Sequence, residues 1–168
     1  MGARTKARKR ALDILFESEL RGLKTGATLD ERRQTVAALN AYTVTLVEGV
    51  VAHRDEIDEL LDSHSEGWPL ERMPAVDRNL LRLAVFELRY VAEVPDAVAM
   101  SEAVSLAREL STDDSPAFVN GLLAKISELP PVGPRTADAD NVDAEQLQAP
   151  AARLIQGLRN DRDAAHPS

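Results

Sequence analysis

The chain has 168 residues, enough for one domain with its own core and without stabilising cross-links. It has no cysteine, which excludes disulfide frameworks, thiolate metal sites and cysteine nucleophiles and fits a reducing compartment. The formal net charge of −8 is unevenly spread: Met1 to Arg10 holds five basic residues (Arg4, Lys6, Arg8, Lys9, Arg10) and no acid, so setting this +5 aside leaves −13 on the remainder. Screening confines each charge's field to about 8 Å, so a basic arm attracts phosphates whatever the distant surface carries.

Aromatic residues make up only 4% of a chain rich in Ala, Leu, Val, Glu and Arg, a composition suited to packed helices. Asp13, Glu17 and Glu19 interrupt the apolar residues that follow the basic start, and no segment approaches the ~20 apolar residues of a membrane span. A cytoplasmic, all-α protein is expected, with about seven helices in two packed groups.

The first helix is predicted from Thr5 to about Leu23, with Leu12, Leu15, Phe16, Leu20 and Leu23 as its buried stripe and Gly22 and Gly26 at its end. A short helix is expected after Thr28, where Thr28-Leu29-Asp30-Glu31 has the spacing of a capping box. Asn40 caps a longer predicted helix reaching about Ser63, with Val44, Val47, Val50, Val51, Ile57, Leu60 and Leu61 inward and Asp55, Asp58, Glu59 and Asp62 on a solvated face. Gly67 to Pro74 reads as a break holding at most one turn, because each proline disfavours a helical residue before it.

Pro74 starts the next predicted helix, with Val76, Leu80, Leu83, Ala84, Leu88 and Val91 buried, and Pro95 stops it. A further helix covers about Val98 to Leu110. Ser115-Pro116 supplies an N-cap and a first-turn proline for the last core helix, to about Leu129, with Val119, Leu122, Leu123 and Ile126 inward and Asp113 and Asp114 near its positive end. Residues 1–130 thus form the helical domain. Residues 131–168 read as an acidic, flexible tail with one marginal helix on Leu147, Leu154, Ile155 and Leu158.

Catalytic patterns are missing. The eight glycines never cluster into a phosphate-cradling loop, and His53 and His64 lie eleven residues apart on one helix, roughly 16 Å if it is straight. No enzyme activity, metal or cofactor is expected. The basic arm resists a folding explanation, since positive charge near a helix N-terminus opposes the macrodipole, whereas bound phosphates relieve the repulsion. Phe118 lies on the margin of the last helix's core face beside Lys125, where an aromatic and a cation together stack a splayed base and hold its phosphate; edge-of-core packing is the other reading. Asn120-Gly121 places a glycine within that helix, which close approach of another helix or of a ligand backbone would explain.

Three segments, Ala7-Arg8-Lys9-Arg10-Ala11-Leu12 through Phe16, Ala75-Val76-Asp77-Arg78 through Leu88, and Asp113-Asp114-Ser115-Pro116-Ala117-Phe118-Val119-Asn120-Gly121-Leu122-Leu123, together resemble the NusB transcription antitermination factors over about residues 4–129. The resemblance implies an all-helical fold of two three-helix bundles. It further implies binding of single-stranded boxA RNA together with NusE, a small-subunit ribosomal protein, in the RNA polymerase antitermination complex that reads through ribosomal RNA operons. Carried over residue by residue, it sets Arg4, Lys6, Arg8, Lys9 and Arg10 on RNA phosphates, Asp114 and Phe118 on the same RNA-facing surface, and Glu87 on the side that takes NusE. Phe16 stands where tyrosine is common in the family, and the tail has no counterpart. Two other readings compete: a noncatalytic helical protein-interaction scaffold, and a stand-alone relative of the NusB-like domain of certain ribosomal RNA methyltransferases, although the chain lacks a glycine-rich cofactor loop and the length for that enzyme.

Overall fold

The computed structural model describes residues 2–35, 38–130 and 132, so the expectations for the tail lie outside the described residues. The helices are α1 (Ala3–Leu20), α2 (Thr28–Thr35), α3 (Ala41–His64), α4 (Ala75–Tyr90), α5 (Asp96–Leu110) and α6 (Ser115–Ser127), with a single 3-10 turn at Leu70–Arg72 before α4. The fold is all-α, with six α-helices among the described residues. Among the described residues, no helix is long and apolar enough to cross a membrane.

Helix α1 ends where the sequence places its stop. Gly22 has φ of +67°, and the Leu23 and Gly22 amides donate to the Ser18 and Glu19 carbonyls, which closes the last turn around a left-handed glycine. Its buried face is turned from the expected one: Ala7, Ala11, Leu12, Ile14, Leu15 and Ser18 point inward, while Leu20 is 73% exposed and Leu23 lies outside too. Leu12 and Leu15 are buried as expected, joined by Ile14 and by the small Ala7, Ala11 and Ser18, and the Ser18 hydroxyl is satisfied by donating to the Ile14 carbonyl.

The Thr28 capping box does not form. Thr28 Oγ1 donates to the Ile14 carbonyl, and Glu31 pairs with Arg21, so tertiary partners replace the local exchange. Asn40 does cap α3, its Oδ1 accepting from the Tyr42 amide at 2.8 Å. Helix α3 is kinked at His53 (φ −114°, ψ 17°), and Val51 lies on its exposed side. Its acidic run is only partly a solvated face: Asp58 accepts two hydrogen bonds from Arg82, and Asp62 accepts from the Leu70 amide.

Helix α4 packs against α1 and α3 on one side and α5 and α6 on the other, so both groups of helices share it. Instead of one apolar stripe it is buried nearly all round, from Asp77 through Arg89 apart from the half-buried Arg78. Phe86 reaches α3 only because residue 49 is glycine: a Cβ there would stand 2.0 Å from the Phe86 ring. The polar residues of α4 are paired. Arg78 and Arg82 meet Glu19, Asn79 donates to Glu19 at 2.7 Å, and Arg89 donates to the Leu129 and Pro130 carbonyls. Buried charges persist only when so matched.

Candidate nucleic-acid interface

The five cations of α1 divide into unlike groups. Lys6 and Arg10 are exposed and have no ion-pair partner among the described residues. Arg4, half exposed, lies 3.6 Å from Glu93 with its guanidinium 4.8 Å from the centre of the Tyr42 ring. Lys9 bonds Glu109 at 2.5 Å, and that hydrogen bond holds its ammonium above the usual lysine value. Arg8 faces inward.

Arg8 Nε and Nη2 donate to the two oxygens of Glu87 at 2.7 and 3.0 Å, with both side chains almost fully buried. Burial opposes the Arg8 charge, but the Glu87 hydrogen bonds, Glu87, Tyr42 and Glu102 outweigh it and raise its pKa. The Tyr42 phenol is pushed up by burial and by Glu87, against Arg8 and Arg4. Arg8 and Glu87, expected on the RNA-facing side and on the side that takes NusE, are paired with each other in the buried contact between α1 and α4.

At the other end of this surface, α4 fixes the start of α6. Asp77, fully buried, accepts from the Ser111 hydroxyl at 2.5 Å and the Ser115 hydroxyl at 2.9 Å. Ser115 is thus spent on Asp77 rather than on capping, and Asp114 makes no side-chain cap bond. Asp114 is the N-cap residue of α6 through its backbone, its carbonyl accepting from the Phe118 amide at 3.3 Å, while its side chain stands exposed on the corner between α5 and α6. Beside it lies an open groove of about 570 Å³ lined by Val104, Arg108, Thr112, Asp113, Pro116 and Asn120. The Lys9–Glu109 bond joins the arm to this corner, because Glu109 precedes the corner by one turn.

Phe118 is half-buried on the far flank of α6, its ring edge-on to Trp68 at 4.7 Å. It lines a second, smaller groove with His64 and Ser65 at the end of α3 and with Gly121 and the exposed Lys125. Lys125 reaches Glu66 at 3.4 Å. The structure thus brings Lys9 near the Asp114 corner and sets Phe118 beside Lys125, and the two grooves adjoin on α6 at Ala117, which lines both. Sequence reasoning missed Tyr42, Trp68, His64 and Arg108. Trp68 was readable only as part of a proline-flanked break, and nothing local marks Arg108.

The sequence pattern of the NusB family matches residues 5–128. The chain belongs to the NusB family. Its relatives include the transcription antitermination protein NusB of Nocardioides sp., 60% identical over 127 residues that cover 75% of this chain and 94% of that protein. The corresponding protein of Arthrobacter sp. is 55% identical over 132 residues, covering 78% and 97%. Among solved structures, NusB of T. maritima superposes with a TM-score of 0.67 at 30% identity, covering 76% of this chain and 92% of that one. A structure of the antitermination factors NusB and NusE in complex with dsRNA matches with a TM-score of 0.65 at 30% identity, over 74% and 96%. The family consists of noncatalytic antitermination factors, and in this member the family segments fall on the first half of α1, on the buried α4 and on the start of α6.

Proposed function

We propose that this NusB-family chain acts in the cytoplasm as a transcription antitermination factor that binds boxA-type single-stranded RNA together with NusE and enters the RNA polymerase antitermination complex. The observation that carries the reading is the relative solved with NusE and dsRNA, matched over 96% of its length. The site supports it: Lys6 and Arg10 stand free on an otherwise acidic surface, and the partners of Arg4 and Lys9 are exposed acids that phosphates can replace. Affinity then comes mainly from the arm, and discrimination from unpaired bases met at the flanks of α6. Asp114, being negative, would accept from a base amino group and repel phosphate.

Titration of a boxA RNA with the full-length chain, with and without NusE, across a salt series tests this. Four phosphate contacts on a single strand give a log–log slope near −3, and Lys6→Gln/Arg10→Gln should lower it by about 1.4. NusE should tighten the complex. Full affinity and slope in the double variant would exclude the arm.

A further inference from the structure

Local chemistry gives the start of α1 little to hold it. Gly2 makes no side-chain cap bond, the first turn carries no acid, and Arg4 and Lys6 oppose the helix dipole. The chain is nonetheless helical from Ala3, and the support comes from other helices. Thr5 Oγ1 donates to Glu102 of α5 at 3.1 Å, and Thr43 Oγ1, at the start of α3, donates to the Ala7 carbonyl at 3.1 Å. Tyr42 completes this brace. Its amide donates to the Asn40 cap, and its ring centre lies 4.8 Å from the Arg4 guanidinium and 5.8 Å from that of Arg8. Arg8 is held by Glu87, so Arg4 is the cation left for the ring to place. The Tyr42 hydroxyl is not the reason for the residue: it is buried and has no hydrogen-bond partner among the described residues, which is unfavourable. What the ring supplies is orientation. A guanidinium attracted through its face keeps its N–H edge free, and that edge is the part that grips a phosphate with two hydrogen bonds. Glu93, the acid nearest Arg4, is 3.6 Å away and 82% exposed, so a phosphate can replace it. Lys6 and Arg10 stand over no aromatic ring among the described residues.

We infer that Tyr42 is a positioning residue for RNA: its ring holds the Arg4 guanidinium with its edge turned to a backbone phosphate, so this arm cation is pre-organised while Lys6 and Arg10 act as charges alone. The inference rests on the RNA-binding reading above and adds to it a residue of α3 that acts through Arg4 and touches no RNA itself.

Its test is Tyr42→Leu, Tyr42→Phe and Arg4→Gln, with the double variant Tyr42→Leu/Arg4→Gln, in the full-length chain titrated with the same boxA RNA across a salt series. Tyr42→Leu should lower affinity about fourfold, the range of one cation–π contact. Arg4→Gln should lower it at least as much and reduce the salt slope by about 0.7, and adding Tyr42→Leu to Arg4→Gln should cost nothing more. Tyr42→Phe keeps the ring, so it should bind RNA as wild type does, and its melting temperature should not fall, because only an unpartnered hydroxyl is removed. In nuclear magnetic resonance spectra of the wild-type chain, the Arg4 side-chain protons should be shifted upfield by the Tyr42 ring and remain so in the RNA complex. Unchanged affinity in Tyr42→Leu overturns the inference. So does an equal loss with and without Arg4, which would give residue 42 a role in the fold or in another contact, and so does lost affinity in Tyr42→Phe, which would put the hydroxyl on the RNA. Unshifted Arg4 protons in the wild-type chain overturn it even if Tyr42→Leu does not fold. If the wild-type chain binds no boxA RNA at all, the functional reading itself has failed and the inference falls with it, an outcome separate from a wild type and variants that bind equally well.

Discussion

Arg8 and Glu87 show how much one buried pair can decide. In sequence Arg8 is the third of five similar cations, yet its guanidinium donates twice to Glu87 while Lys6 and Arg10 remain in solvent. Removing one partner strands the other charge in the core, so Glu87→Leu should cost about 3–5 kcal/mol of stability. Replacing both with apolar residues of similar size, Arg8→Met/Glu87→Leu, should recover most of that loss, because the desolvation of both ions vanishes with their attraction. Urea denaturation of the two single variants and the double variant measures the coupling. The double variant should also bind boxA RNA within about twofold of wild type, since only four arm cations face outward; a salt slope lowered by ~0.7 would return Arg8 to the RNA surface.

At the level of helices, α3 and α4 are joined by an aromatic and polar clamp: the Tyr90 ring stacks on His53 at 3.9 Å, and its hydroxyl donates to Glu56 at 2.6 Å. Burial, followed by Glu56, raises the Tyr90 pKa to about 12, whereas the unfolded chain has a value near 10. The folded state therefore favours the neutral phenol. Its contribution is complete below about pH 10 and is lost as the pH climbs through about 12. Melting temperatures between pH 9 and 12 should fall more steeply in wild type than in Tyr90→Phe, and parallel curves would remove the clamp from the alkaline transition. None of this was legible from periodicity. The sequence reading placed α4 and much of its apolar stripe, but the pattern cannot say that a helix bearing Asp77, Arg78, Arg82, Glu87 and Arg89 is buried, because the partners that match them outside α4 and its preceding turn lie 24 to 79 residues away. Gly49 and Gly121 make the same point. Both read as mid-helix glycines, and only the packing shows that one is filled by Phe86 and the other is open.

Across the helical body, α1, α3, α5 and α6 all pack on one hub, α4. The six helices within residues 1–130, the break before α4, the Asn40 cap and the inward face of α6 could all be read from local chemistry, and so could the charged arm. What local chemistry leaves out is that α4 serves both helix groups at once. Two bundles that each owned a core would unfold in two steps, whereas a hub that contacts α1, α3, α5 and α6 loses packing on both sides when either side opens. Trp68 is placed to report this, since it lies in the segment between α3 and α4 and its ring meets Phe118 of α6 edge-on. Urea unfolding followed by Trp68 emission and by far-ultraviolet circular dichroism should therefore give one coincident transition. Glu87→Leu, which acts at the α1–α4 contact, should move both midpoints equally, although Trp68 lies outside that contact. A Trp68 transition that stays in place while the dichroism midpoint shifts would mean that the α6 side folds without α1. The arm and the start of α6 would then stand on separately stable supports, without the rigid frame that α4 supplies to both.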